Sequence, residues 1–182
     1  MFTVLGLGSN RAFKGLEPFD LLLRASSLLE PLFSDFELSS VYRTKPMYFE
    51  NQSDFFNMAV CGNTMLSAHE LLSKIHEIEE KLGRNRISEI RNGPRSIDID
   101  IELFGNEEIH FFDKKDPMKN LEVPHPHIAE RAFVLIPLLE VLPESAEIHN
   151  IEFLKNSLAK IGNQGAELWK NRQSVRKMLN LK

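Results

Sequence analysis

Residues 83–104, GRNRISEIRNGPRSIDIDIELF, begin as a basic loop punctuated by glycine and end as a strand carrying carboxylates. Between residues 81 and 95 five basic side chains stand against one acid, Glu89. Asp98 and Asp100 then alternate with Ile97, Ile99 and Ile101, the period of two of an extended chain. The aspartates therefore share one face while the isoleucines bury on the other. Two parallel carboxylates on rigid backbone make a hard-oxygen site of the kind that holds Mg2+ together with substrate phosphates. Arginines just upstream can meet the same phosphates with forked, charge-assisted hydrogen bonds. Gly93 and Pro94 set the turn between loop and strand. A D-x-D alone also fits a solvated sheet face, and an arginine loop alone fits a surface turn. Their adjacency points to phosphoryl transfer.

Working outward, the hydrophobic pattern sets the element order. Residues 2–8 (FTVLGLG) suit a central strand, and Ser9 and Asn10 follow as turn formers with free polar groups. Pro18 opens a helix whose buried face is Leu21, Leu22, Ala25, Leu28 and Leu29, until Pro31 stops it. Residues 33–43 read as one strand, 44–54 as a polar and aromatic loop, and 55–62 as another strand. Ser67 and Glu70 form a capping box for a helix with Leu71, Leu72, Ile75, Ile78 and Leu82 on one face and Gly83 as its stop. Strand, helix, strand, strand, helix, strand is the split βαβ order. The expected fold is therefore α+β, a ferredoxin-like antiparallel sheet (βαββαβ core) with both helices on one face and the other face free for ligands.

Beyond that core, residues 108–112 read as an extra strand and 113–120 as a charged loop. The prolines of 123–127 (VPHPH) make a rigid extended segment, and a helix is expected over 128–141. Helical patterning resumes near Ile151 and runs towards Lys182, with a break at 162–165. The reading is a single domain over 1–182, with a core of about 1–145 and a C-terminal helical extension of about 150–182.

At 182 residues the chain can bury a core without staples. A net charge of −4 argues against a general nucleic-acid binder, whose basic footprint would dominate. The positive charge is local, as a small polyanionic ligand requires. No P-loop pattern occurs. Cys61 is the only cysteine and lies in an apolar run, so it reads as a buried hydrophobe in a reducing compartment. No apolar run reaches the ~20 residues that span a bilayer, and the N-terminus lacks a signal peptide's charged start and apolar core. The expectation is a cytoplasmic monomer with small-molecule partners, neither nucleic acid nor membrane.

Several segments taken together resemble the 6-hydroxymethyl-7,8-dihydropterin pyrophosphokinase family. They are G-S-N at 8–10, V-Y-R-T at 41–44, F-x-N-x-A-V at 55–60, G-R at 83–84, G-P-R-S-I-D-I-D-I at 93–101, L-F-G at 103–105, V-P-H-P at 123–126 and R-x-F-V-L-x-P-L at 131–138. The G-P-R-x-x-D-x-D signature is highly specific, and the others are individually weak. The resemblance implies transfer of the pyrophosphoryl group of ATP to the pterin hydroxymethyl group, with release of AMP. It implies two Mg2+ ions held by Asp98 and Asp100, and phosphates clamped by Arg84 and Arg95. Thr44, Pro46, Met47, Phe55, Asn57 and Phe133 would then form the pterin slot, with Asn57 reading the pyrimidine-like edge. His76, Glu79, Ile101, His125 and Arg131 would join Arg84 and Arg95 around ATP. On the residues alone, Phe55 and Phe133 also fit the core, His125 an ordinary loop histidine, and His76 with Glu79 a solvated helix face.

The chain departs from the family pattern in places. Asn92 stands where many members carry Trp, and His127 and Asn120 stand where arginine is often found. Residues 106–120 are longer than typical. Glu102 replaces an apolar residue; by alternation it shares the Asp98 and Asp100 face, so it is either a third acid near the metals or a side chain reaching solvent. A catalytically retired relative, used as a binding module, is the alternative, although the D-x-D and Arg95 that such a relative would lose are both present. The arginine loop and the 44–54 loop flank the proposed site and are expected to close over ATP.

Overall fold

The computed structural model describes residues 1–182 except 48, 87, 88, 91, 144–147, 149 and 182. It is a mixed α/β fold built on an antiparallel sheet, with five α-helices among the described residues. The first half runs β1 (Phe2–Ser9), α1 (Pro18–Leu29), β2 (Ser34–Leu38), β3 (Val41–Thr44), β4 (Phe55–Asn63), α2 (Ala68–Lys81) and β5 (Asp98–Phe104). The sheet order is β5-β1-β4-β3-β8, where β8 is Glu167–Lys170, with β2 also paired to β4. The α2 start is as expected: Ser67 Oγ accepts from Glu70 N–H, and Glu70 Oε2 accepts from Ser67 N–H at 2.8 Å.

The single strand expected over residues 33–43 is two, both laid along β4. Ser39 and Ser40 interrupt it because other groups take over their backbone bonding. Ser39 N–H donates to Ala59 O, and Ala59 N–H donates to Ser39 Oγ, each at 2.9 Å. Glu140 accepts from Ser40 N–H, Ser40 Oγ and Tyr42 OH.

The two faces of the sheet are covered differently. Leu21, Leu22, Ala25 and Leu29 of α1 and Leu71, Ile75 and Ile78 of α2 pack on Leu5, Leu7, Met58, Val60, Ile99 and Ile101. The opposite face was expected to be free. Part of it is covered by α3 (Ala132–Val141), whose Leu135, Leu138 and Val141 pack on Val4, Ala59, Cys61 and Leu103. This half is apolar and must be buried. The other half, floored by Gly6 and Gly8, lines a cavity. Cys61 is buried as expected, its Sγ 3.4 Å from the Val141 carbonyl, and burial pushes its thiol up to about 12.

The extra strand expected near 108–112 is β6 (Ile109–Phe111), paired with β7 (Leu121–Val123) in a separate two-stranded sheet. The helix expected from Ile128 starts later. A short 3-10 turn at Ile128–Glu130 ends at Arg131, whose extended backbone precedes Ala132. The C-terminal region is not wholly helical. Between α4 (Ile151–Ile161) and α5 (Arg172–Met178), β8 (Glu167–Lys170) joins the main sheet against β3. Gly162 and Gly165, at φ 68° and 77°, turn the chain out of α4, a conformation that favours glycine. The helix expected to run on towards Lys182 ends at Met178, and Lys182 itself lies outside the described residues, as does the 145 boundary of the expected core. No helix among the described residues is long and apolar enough to cross a membrane.

Candidate active site

The carboxylates of β5 and the aromatic slot open onto one cavity. Its lining includes Gly6, Gly8, Thr44, Met47, Phe55, Asn57, Arg95, Asp98, Asp100, Glu102, Arg131 and Phe133. The antiparallel register explains the gathering: Gly8 pairs with Asn57 on one side and Asp98 on the other, and Gly6 pairs with Asp100. A Cβ on Gly8 would stand 3.0 Å from Asn57 Oδ1, so the glycine leaves room that a side chain would fill. Asn57 and Thr44 are both 5% exposed, and Asn57 Nδ2 donates to Thr44 Oγ1 at 2.8 Å. That bond fixes the amide and leaves its oxygen turned towards Gly8. Pro46 does not line the cavity, whereas Met47 does.

Asp98 is surrounded by cations. Arg95 hydrogen-bonds its Oδ2, Arg84 Nη2 lies 3.3 Å from Oδ1, and Arg86 Nη2 lies at 3.8 Å. Burial pushes its carboxyl up, but the three guanidinium groups outweigh burial and hold it below the ordinary range. Asp100 makes no ion pair among the described residues, although Arg86, Arg131 and Arg95 draw it down from farther off. Burial, then the charge of Asp98, push it up to about 6. Glu102 does not reach solvent: it is 2% exposed, on the same face as the aspartates, and burial followed by Asp100 pushes its carboxyl well up. No group of three His, Cys, Asp or Glu side chains among the described residues is gathered to hold an ion by itself. Two carboxylate-bearing positions on a rigid strand still fit a hard cation that takes its remaining oxygens from phosphates and water.

Ser9 and Asn10, expected as turn formers, and Arg11 brace the turn at Arg95 and Ser96. Asn10 Oδ1 accepts from Arg95 N–H at 2.8 Å, Asn10 and Arg11 N–H both donate to Arg95 O, and Ser9 Oγ donates to Ser96 O. Gln52 then ties the two flanking loops: it accepts from Asn10 Nδ2 at 2.9 Å and donates to Asn92 O at 3.0 Å. Of those loops, Tyr48, Ile87, Ser88 and Arg91 lie outside the described residues. Arg84 pairs with Glu89 at 2.7 Å, and Arg11 shares that glutamate.

Glu79 is not on a solvated face. It is 1% exposed, accepts from Arg86 Nε at 2.8 Å, and accepts from Ile99 N–H at 2.9 Å. With His76 it faces a second cleft bounded by Arg84, Arg86 and Met118. Burial, then Arg86, push His76 down to about 4. Burial, then Arg131, push His125 to about 4 as well, so its ring is neutral, and its backbone N–H donates to Glu102 O. The Arg95 and Arg131 guanidiniums lie 5.7 and 5.8 Å from the Phe55 and Phe133 ring centres. Ile101 is 4% exposed in the core under α1 and α2 and lines neither cavity. Arg86, Gln52 and Arg11 carry no motif that would have marked them; their partners come from distant segments.

The sequence model of the 7,8-dihydro-6-hydroxymethylpterin-pyrophosphokinase (HPPK) family matches residues 4–143. The chain belongs to the HPPK family. Among its relatives are the 2-amino-4-hydroxy-6-hydroxymethyldihydropteridine pyrophosphokinases of Bacillus subtilis and Aquifex aeolicus. The first is 38% identical over 139 residues, 76% of this chain and 74% of the relative. The second is 39% identical over the same length, 76% of this chain and 79% of the relative. A crystal structure of Plasmodium falciparum HPPK-DHPS matches the fold with a TM-score of 0.61 at 18% identity, over 87% of this chain. The HPPK chain described here spans 44% of that longer one. The HPPK match covers β1 to α3 and therefore every residue lining the first cavity. It stops before α4, β8 and α5, which take no part in that lining.

Proposed function

We infer that the chain is the pyrophosphokinase for which its curated relatives are named, acting in folate synthesis: it moves the pyrophosphoryl group of ATP to the hydroxymethyl group of 6-hydroxymethyl-7,8-dihydropterin and releases AMP. The observation that carries this reading is the single cavity shared by the Asp98–Asp100 face and the Phe55–Asn57–Phe133 slot. A flat pterin between the aromatic side chains, its polar edge on Asn57 and the Thr44–Met47 backbone, would direct its hydroxymethyl group towards the aspartates. Pro46 would serve only by shaping that backbone. Asp98 and Asp100 would hold two Mg2+ ions. Bound there, Mg2+ would screen the phosphate charge and acidify the attacking hydroxyl.

The rest is positioning by the chain itself. Arg84 and Arg95 are already beside Asp98, so incoming phosphates need only exchange one anion for another to draw them into a clamp. They would then steady the charge that builds on the bridging oxygen as AMP leaves. The neutral His125 ring, with Arg131, would add contacts to the phosphates, and the cleft at His76 would take the nucleoside. Glu79 would act there through Arg86, which it orients. Ile101 would support the site from beneath the sheet. The two loops tied by Gln52 would close over the ligands and exclude water. We further read the sheet as ferredoxin-like with an added strand, the 1–182 chain as one domain, and the protein as a cytoplasmic monomer.

The test is incubation with ATP, Mg2+ and the pterin, with nucleotides separated by chromatography and Asp98→Asn as the matched variant. AMP formed only when pterin is present, and lost in the variant, is the expected result. ADP in place of AMP, or no turnover despite pterin binding, would overturn the reading.

A further inference from the structure

Glu102 has no part in the activity proposed above, yet it stands in the same cavity. The register of β1 against β5 slips between Val4 and Leu5, so Ile101 faces Leu5, Leu103 faces Val4, and Glu102 is the extra residue of a bulge. Its side chain lies over Gly6, where a Cβ would meet its Oε1 at 2.8 Å. The carboxyl is 2% exposed, and Oε2 has no hydrogen-bond partner among the described residues. A buried polar group in that condition calls for a partner the protein alone does not supply.

The neighbouring acids divide in a telling way. Asp98 is held by Arg95 and Arg84, with Arg86 close by. Asp100 and Glu102 form neither ion pairs nor side-chain hydrogen bonds among the described residues, and both line the cavity. Two unpaired carboxyls one residue apart, on rigid backbone and facing the same space, offer hard oxygens to a small divalent cation, with water completing its shell.

We propose that Asp100 and Glu102 form the seat that a divalent cation takes before nucleotide arrives, with Asp98 joining it only when phosphates draw the arginines away. The inference rests on the reading of β5 as the cation-holding strand, and it adds Glu102 to that strand's ligands. It also assigns an order: the ion at Asp100 and Glu102 is present first and helps to bring in the phosphates.

The test is calorimetric titration with Mn2+, paired with its electron paramagnetic resonance signal, on the full chain without nucleotide or pterin. The wild-type protein should bind one ion. Glu102→Gln and Glu102→Leu should each weaken that binding by about tenfold or more, while Asp98→Asn leaves it nearly unchanged. Thermal melts without metal should find both Glu102 variants at least as stable as the parent, which separates a lost ligand from a lost fold. Mn2+ also should raise the melting temperature of the parent but not of Glu102→Gln. The proposal fails if either Glu102 variant binds Mn2+ as the parent does, or if the parent binds none without nucleotide. Binding abolished by Asp98→Asn and kept by Glu102→Gln would overturn it while leaving the pyrophosphokinase reading intact. Absence of AMP formation would count against that reading alone.

Discussion

Replacing Glu79 by alanine asks what fastens the arginine loop to β5. The carboxylate accepts two bonds from Arg86, at 2.8 and 2.9 Å, and one from Ile99 N–H at 2.9 Å, while being 1% exposed. Burial pushes it up, Arg86 draws it down and Asp98 pushes it up again, so that it titrates at about 7. The ionised form is therefore expensive to bury, and the net worth of the pair is less than the sum of its bonds. Truncation removes three acceptor contacts and leaves the Ile99 N–H without its partner inside the protein. Breaking a buried pair by deleting one side costs ~3–5 kcal/mol. Arg86 keeps 30% of its side chain exposed and can lean on Asp98 at 3.8 Å, so the low end applies, about 3 kcal/mol. Glu79→Gln preserves an acceptor for Ile99 and should cost less, ~1–1.5 kcal/mol. Urea unfolding followed by circular dichroism at pH 8, above the titration of the wild-type group, measures both. A loss under ~1 kcal/mol for alanine, or equal losses for the two variants, would refute this account of the loop anchor.

Gly8→Ala places a methyl group 3.0 Å from Asn57 Oδ1, whose amide is held by Thr44 and yields little. Pterin affinity should fall by about tenfold, equivalent to ~1.4 kcal/mol, with ATP-analogue affinity kept; calorimetry showing equal pterin binding would contradict the glycine-floored slot. His76, pushed from 6.5 down to about 4, takes up its proton less readily in the folded than in the unfolded chain. Its neutral form is favoured by the fold, so stability is fully present above pH 6.5 and declines as the pH falls towards 4. For a half-buried ring the decline is on the order of 1 kcal/mol. His76→Asn should flatten that part of the stability profile, and denaturation at a series of pH values showing an unaltered slope would rule it out.

What could be read from the sequence were the features that depend on neighbours in the chain. Alternation alone put Asp98 and Asp100 on one face, and Ser67 with Glu70 marked the start of α2. The break at Ser39 and Ser40 could not be read, because Glu140, which takes over their bonding, comes 100 residues later. The strand at Glu167–Lys170 was missed for a related reason. Its residues are largely exposed and carry no buried stripe; they are a strand because the edge of β3 lies alongside. Alternation placed Glu102 on the aspartate face but left its environment open; the bulge that lays it over Gly6 is not written in the local pattern. Ile101 shows the converse: the same alternation that faces the aspartates into the cavity turns it into the core. The contacts of Gln52 and Arg86 depend on how two loops meet, for which local pattern offers no signal.

The pairing of β3 with β8 bears on the order in which the chain can assemble. Tyr42 meets Leu168 and Arg43 meets Glu167, while Glu37 is bound by Arg172 and Arg176. The strand that ends in Thr44 therefore keeps an open edge during synthesis until residues 167–170 have left the ribosome. Contacts between such distant segments form late, since a long loop must close before they return any free energy. Until then, the side of the sheet that ends in Thr44 at the cavity offers unpaired backbone groups to any other extended chain nearby. β8 thus closes one edge of a sheet whose strands β1 and β5, which line the cavity, lie towards the opposite edge.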